Sequence, residues 1–414
     1  MSGPAKRASF PREFPGVHYY DQDEEAAALR VIHGRSPFRY YGASFLAETD
    51  SLEKEFAARL DRKYAQAVSS GTNGLLCAMV AFGIGPGQEV LIPGFFWVST
   101  VGAVVRAGGI PVLVEVDDSF TLDPEDLEAK ITPNTKLILP VHMCGAMCNM
   151  EAVIQVARRH GIPVLEDCAQ ANGATLRGRA SGTFGEMAMF SFQMNKNMTA
   201  GEGGMLLTDD ETLFLRANAA HDLGVPWSGD MPVQDSEHAL WGAGARMSEL
   251  AAAVLRVQLG KLDTIVDHMR TSKHRIQRAL DDLTDLRWRR VDDPDGDSGP
   301  FIIAMLPDPE AAARLAEQAN RLGLPCSHMP SYGLHVYYNV KSLVEKRSNS
   351  PDGYPWTHPA NEPLARNYAK GTLPRTDELL ARSVAFPVPS NLTADHEERY
   401  VTIFREAHQA ASVK

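Results

Sequence analysis

The stretch Ser191-Phe192-Gln193-Met194-Asn195-Lys196-Asn197-Met198-Thr199-Ala200-Gly201-Glu202-Gly203-Gly204 decides the reading of this chain. It closes the apolar run Met187 to Phe192, so a strand ends here and the backbone must turn among small residues and glycines. Surface lysines usually sit on helix faces beside other charges, and Lys196 does not. Partly desolvated at such a turn, its amine loses its proton more easily and can act as a nucleophile. The commonest use of such an amine is a Schiff base with pyridoxal phosphate. That cofactor sets four further requirements: an acid for the pyridine nitrogen, a flat side chain over the ring, a cradle for the phosphate and a partner for the phenolic oxygen.

Each requirement has a candidate. Ile162 to Asp167 reads as a buried parallel strand ending in acid, which sets Asp167 at the carboxyl end of a strand, where ligands of open α/β sheets collect. Taken alone, Asp167 reads equally as the cap of a following helix. Gln170, three residues on, is within reach of a phenolic oxygen. Ser69-Ser70-Gly71-Thr72-Asn73-Gly74 precedes an apolar helical run from Leu75 to Phe82. A helix start of this kind offers free N–H groups and the positive end of the helix dipole to a phosphate, although many ordinary helices begin this way. Ser191 supplies a further phosphate contact. Of Phe95, Phe96 and Trp97, one or two fill core, and Trp97 is the expected stacker.

These segments, in this order and spacing, resemble the DegT–StrS family of aminotransferases, a branch of the fold-type-I pyridoxal-phosphate enzymes. The matching residues are Ser70 to Asn73, Pro93 to Thr100, Pro140-Val141-His142, Glu166 to Gln170, and Ser191-Phe192 with Lys196 and Gly201 to Gly204; Arg39 to Gly42 also recurs among relatives. The resemblance runs from about Arg35 to the end and is sharp as far as Leu262.

It implies that Lys196 carries the cofactor and shuttles a proton, that Asp167 pairs with the pyridine nitrogen, and that Trp97 stacks on the ring. It further implies that Gln170 meets the phenolic oxygen and that Gly71, Thr72 and Ser191 hold the phosphate. Dehydratase relatives carry histidine where Lys196 stands, so transamination is implied, from glutamate or glutamine to a nucleotide-linked keto-sugar or a keto-cyclitol. A non-sugar ketone, or a non-catalytic regulatory role, is the alternative; the joint presence of Lys196, Asp167 and Gln170 argues against the latter. The family forms homodimers with shared active sites. Two departures stand out. Where many members have Gly-Tyr-Asn-Tyr-Arg, with the Asn reaching the neighbouring subunit's phosphate, this chain has Gly242-Ala243-Gly244-Ala245-Arg246. That contact is therefore lost, taken by backbone N–H, or passed to Arg246. Gln193 stands where sugar-nucleotide members often have histidine.

Composition agrees with a globular enzyme: 44% hydrophobic and 22% charged residues over 414 positions. A net charge of −11 gives no support to nucleic-acid binding. No stretch approaches the ~20 apolar residues of a membrane span, and the first residues lack the apolar segment of a signal peptide, so a cytoplasmic location is expected. Five cysteines at irregular spacing (Cys77, Cys144, Cys148, Cys168 and Cys326) read as free thiols. His142 with Cys144 and Cys148 invites a zinc reading, but no second ligand pair follows at suitable spacing, and no metal is expected.

The remaining pattern predicts α/β architecture, with an N-terminal arm over 1–21, a large domain over 22–262 holding a mostly parallel sheet flanked by helices, and a smaller α+β domain over 263–414. The resemblance implies that the sheet has seven strands and that the large domain binds the cofactor. Strands are expected at Gln66–Ser69, Val90–Pro93, Pro111–Val116, Leu137–Val141, Val164–Asp167 and Met187–Phe192, and helices over Phe45–Leu60 and along Ser248–Leu280, the latter interrupted near Gly260. The polar segment 345–375 reads as an irregular insertion near the active-site mouth or as a plain surface loop. Gly83-Ile84-Gly85-Pro86-Gly87 follows a helix and contains proline, so it is a turn rather than a dinucleotide fingerprint, and a nicotinamide oxidoreductase is set aside.

Overall fold

A computed structural model describes residues 10–228 and 231–412; of the arm expected over 1–21, residues 1–9 lie outside the described residues. In chain order the elements that position the site are α1 (Gln22–Gly34), α2 (Glu48–Arg59), β1 (Tyr64–Val68), α3 (Gly71–Ala81), β2 (Glu89–Pro93), α4 (Val98–Ala107), β3 (Ile110–Val114) and β4 (Thr135–Ile138). They continue with α5 (Met150–His160), β5 (Leu165–Asp167), β6 (Met187–Ser191), β7 (Gly204–Thr208), α6 (Glu211–His221) and α7 (Glu249–Arg278). The short apolar runs predict strands because both faces of this sheet are covered by helices.

The strands form one sheet in the order β1-β7-β6-β5-β4-β2-β3, the β4–β5 join being made by the parallel bridges Ile138–Val164 and Val141–Asp167. Only β7 runs against its neighbours. No strand is predicted at Gly204–Thr208, because the glycines before it read as loop. In the fold those glycines make the turn: Gly201 and Gly203 have φ of +85° and +147°, and Met205-Leu206-Leu207 then returns fully buried beside β6. Lys196 thus sits in the loop of a β6–β7 hairpin.

Two helices differ from expectation. α2 begins at Glu48, after Ala47 in a left-handed conformation, so Phe45 and Leu46 lie outside it and are partly exposed. α7 runs unbroken through Gly260. A glycine in a helix costs about 1 kcal/mol, and here tertiary packing outweighs it. Leu255, Leu259, Leu262, Ile265, Val266 and Met269 are buried against the large sheet, and Ile276 joins the second core.

That second core lies under an antiparallel sheet of β8 (Arg287–Trp288), β9 (Phe301–Met305), β10 (Ser327–His328) and β11 (Ser383–Pro387), in the order β8-β9-β11-β10. It is backed by α8 (Pro309–Leu322) and α9 (Ala394–Ser412), and Phe10 of the arm packs into it on Tyr400.

The segment 345–375 does not lie at the mouth of the main cleft. It is tied to the amino ends of β2 and β3: Arg366 pairs with buried Glu89, the Tyr368 hydroxyl donates to Pro111 O (2.8 Å), and Asn361 bonds both Gly87 N and Gly108 O. These partners hold 361–368 at the far end of the sheet, and Leu373 and Arg375 then return to the carboxyl side beside Gly94 and Glu115. Among the described residues, no helix is long and apolar enough to cross a membrane.

Candidate active site

The carboxyl ends of the parallel strands open into a cleft of about 490 Å3. Gly71, Thr72, Trp97, Asp167, Gln170, Ser191 and Lys196 all line it, although they come from four separate stretches of chain. Chain topology brings them together, since each stretch leaves the sheet at the same edge.

Asp167 ends β5 and is 2% exposed. No helix follows it, so the helix-cap reading fails; instead its Oδ1 accepts from Ala169 N (3.1 Å) and its Oδ2 from the Thr100 hydroxyl (2.9 Å). Burial pushes the Asp167 carboxyl above the ordinary range, and these two donors together with the Lys196 charge oppose that. Burial likewise lowers the Lys196 amine below its ordinary value, while Asp167 pulls the other way. Among the described residues Nζ of Lys196 makes no hydrogen bond or ion pair, so no neighbouring group occupies it.

The backbone of Lys196 is held from the arm. Gly16 N donates to Lys196 O (3.2 Å), and the Tyr20 hydroxyl donates to Thr199 O (2.9 Å). Glu13 and Pro15 line the cleft beside it.

The start of α3 forms a cradle against the end of β6. Ser70 caps the helix through Asn73 N (3.1 Å), which leaves the N–H groups of the first turn without carbonyls of their own helix. A Cβ on Gly71 would stand 2.9 Å from Cβ of Ser191, so only glycine admits the close approach of these two segments. The Thr72 and Ser99 hydroxyls bond each other at 2.7 Å. Phe95 and Phe96 are fully buried, whereas Trp97 is 41% exposed along the cleft wall.

Several lining residues were not foreseen. Tyr332 and His335 arrive because the stretch after β10 is strapped to the stretch after β2: His335 O accepts from Phe96 N (2.9 Å), and Gly94 O accepts from Tyr337 N (3.2 Å). Asn172 and Asn197 lie deeper, the Asn197 amide donating to Asn172 O (2.7 Å). A histidine among tyrosines is the one local signal that Tyr332 to Tyr338 carried, and without periodicity it pointed to no element.

Of the His142, Cys144 and Cys148 grouping set aside as a zinc site, Cys148 is bonded to His142 through its backbone. The Cys148 thiol donates to Val141 O and its N–H to His142 Nδ1. His142 is also brought together with Glu166 and Cys168, all three fully buried. Glu166 accepts N–H groups from Gly182, Phe184 and Gly185 as well as facing His142 Nε2 (3.1 Å). This saturated carboxylate props the strand end that carries Asp167. Four of the five cysteines are buried, Cys326 is half-buried, and all are free. Arg246 pairs with buried Asp222 and lies over the Phe38 ring, while Gly244 adopts φ +63°.

The arrangement therefore offers an amine of reduced basicity, a fixed buried acid and an anion cradle within one cavity. Residues 43–405 match the model of the DegT/DnrJ/EryC1/StrS aminotransferase family. The chain is 38% identical over 282 residues to 3-amino-5-hydroxybenzoate synthase of Amycolatopsis mediterranei (strain S699), covering 65% of this chain and 69% of that protein. It is 40% identical over 250 residues to L-glutamine:scyllo-inosose aminotransferase of Streptomyces griseus, covering 57% of this chain and 56% of that protein. Among solved structures, an aminotransferase from Psychrobacter cryohalolentis superimposes with a TM-score of 0.82 at 28% identity, covering 97% of this chain and 99% of that one.

Proposed function

The chain belongs to the DegT/DnrJ/EryC1/StrS aminotransferase family, and we propose that it uses pyridoxal phosphate to move an amino group from glutamate or glutamine to a ketone on a sugar or cyclitol. The observation that carries this reading is the meeting of Lys196, Asp167 and the Gly71–Ser191 cradle in one cavity. The donor set fits the cofactor: a glycine-lined helix start for a phosphate dianion, and a buried acid facing the interior of the cleft.

Bound there, pyridoxal phosphate supplies an electron-accepting ring that makes the transfer between carbon atoms possible. Lys196 Nζ, whose unprotonated form burial favours, would hold the cofactor's aldehyde group and serve as the base that takes up and returns a proton. Asp167, immobilised by Thr100 and Ala169, would face the pyridine nitrogen and favour its protonated form. Gly71 and Thr72 N–H groups with the Ser191 hydroxyl bind the phosphate, Trp97 orients the ring, and Gln170 meets the phenolic oxygen. The two named relatives are a 3-amino-5-hydroxybenzoate synthase and an L-glutamine:scyllo-inosose aminotransferase, which supports a cyclic acceptor. A homodimer in which residues 242–246 approach the partner's phosphate site, and a cytoplasmic location in which the thiols stay reduced, belong to the same proposal.

The test is a pair of half-reactions. Protein loaded with pyridoxal phosphate should lose its visible absorbance on addition of glutamate or glutamine, and a keto-inositol or nucleotide-linked keto-sugar should restore it. A visible band that no amino donor changes would overturn the assignment.

A further inference from the structure

The two ends of the Gln170 amide are held by different parts of the chain. Its Oε1 accepts from Cys144 N (3.0 Å), and its Nε2 lies 3.2 Å from Nε2 of His335. The other ring nitrogen of His335, Nδ1, lies 3.2 Å from the carbonyl oxygen of Tyr332. A carbonyl only accepts, so Nδ1 carries the hydrogen. In the neutral ring Nε2 then bears a lone pair, and what faces it must be the NH2 end of the amide. Reversing the amide would set its oxygen against that lone pair and its NH2 against the Cys144 N–H. Both contacts would turn repulsive, so one orientation is selected.

Both anchors are stiff. Cys144 has a left-handed backbone (φ +53°), and Arg289 holds the Met143 and Cys144 carbonyls at 3.0 and 2.6 Å. Arg289 is in turn held by Asp297, which pairs with Lys273. His335 is fixed through its backbone oxygen to Phe96 N and is flanked by the rings of Trp97, Phe95 and Tyr332. Lys196 is the titratable group facing it; burial moves the His335 pKa down to about 4 against the opposing Tyr332 carbonyl, and positive charge on Lys196 adds to that fall. The ring therefore stays neutral near pH 7 and serves as an acceptor, not as a proton source.

The second hydrogen on Gln170 Nε2 has no partner among the described residues, and the side chain lines the cleft beside Asp167 and Lys196. We propose that His335 is a positioning residue: it locks Gln170 so that an N–H, and not the amide oxygen, is presented to an anionic oxygen on the cofactor's ring. This rests on the pyridoxal-phosphate reading above. Without His335 the amide can turn, and an acceptor facing a phenolate repels where a donor would attract.

The test compares His335→Phe, His335→Gln, Gln170→Ala and the double variant His335→Phe/Gln170→Ala, each loaded with pyridoxal phosphate. The readout is the pH midpoint of the visible absorbance change. Losing one N–H donor to the phenolate should raise that midpoint by about one unit, the size of a single charge-assisted hydrogen bond. His335→Phe and Gln170→Ala should shift it alike, the double variant no further, and His335→Gln, whose amide oxygen can still accept, should stay near the wild type. A midpoint unmoved in His335→Phe but moved in Gln170→Ala, or shifts that add, would overturn the proposal. Failure of the wild type to form any visible band would instead overturn the cofactor reading itself. As a second readout, 15N NMR of histidine-labelled, cofactor-free protein should show the ring at 335 neutral and protonated on Nδ1 from pH 5.5 to 8. The opposite tautomer there would sink the idea even if the His335→Phe variant fails to fold.

Discussion

The two ends of the seven-stranded sheet handle buried charge in opposite ways. At the amino ends of β2 and β3, fully buried Glu89 meets Arg366 and the Thr132 hydroxyl, and Asn361 is bonded through both amide atoms. At the carboxyl ends, Asp167 and Lys196 are both displaced from their ordinary pKa by burial, and Nζ of Lys196 makes no hydrogen bond or ion pair among the described residues. Burying an ionisable group without a full set of partners is unfavourable, so the fold tolerates it only where something else makes up the interaction. One end of the sheet is complete as it stands. The other is built to be completed by a ligand.

That contrast can be broken most sharply at Lys196. Lys196→Ala should lower the rate of both half-reactions by at least about a thousandfold, in the range lost when a proton-transferring group and nucleophile is removed. Thermal unfolding of the cofactor-free variant should be nearly unchanged, because Nζ makes no bond that the variant loses. Near-normal turnover, or a large fall in melting temperature, would contradict the comparison.

Arg366→Ala tests the opposite end. Removing the partner of a fully buried glutamate is strongly destabilising, and with Arg366 itself about a third exposed the expected loss is roughly 2 kcal/mol in urea unfolding. Turnover per folded molecule should remain as in the wild type. A variant that kept its stability but lost activity would mean that the two ends are not separate in role.

The smallest effect concerns pH. Only the unprotonated amine captures an aldehyde, and burial favours that form, so capture of pyridoxal phosphate by cofactor-free protein should rise with pH through a midpoint below 10.5, the ordinary lysine value. Asp167 favours the charged amine, so Asp167→Asn should move the midpoint lower still. A midpoint at or above the ordinary lysine value would show that Lys196 is solvated like a surface residue.

Much of this was legible in the chain. Six strands follow from short apolar runs, and Lys196, Asp167 and Gly71 are marked by local chemistry: a lysine among glycines, an acid at the end of a buried run, a glycine at a helix start. The antiparallel strand Gly204–Thr208 was hidden because its four leading residues look like loop. The unbroken passage of α7 through Gly260 was hidden because packing energy, which no local pattern records, outweighs one unfavourable residue. His335 and Tyr332 carry no periodicity, and they reach the cleft only through a bridge between Phe95 and Val336, far apart along the chain. By composition the segment 345–375 read as an insertion near the active-site mouth or as a plain surface loop, and Arg366 and Asn361 tie its middle to the amino ends of β2 and β3.

By itself, the sequence determined the class of fold, the family and the residues whose chemistry is written in their immediate neighbours, because those depend on backbone preferences and spacing over a few residues. Only the tertiary structure decided which way the Gln170 amide faces, what supports Glu166 and His142, and which end of the sheet the insertion covers. Those depend largely on hydrogen bonds between groups far apart along the chain, whose direction is fixed by geometry in three dimensions and leaves no trace in the order of the residues.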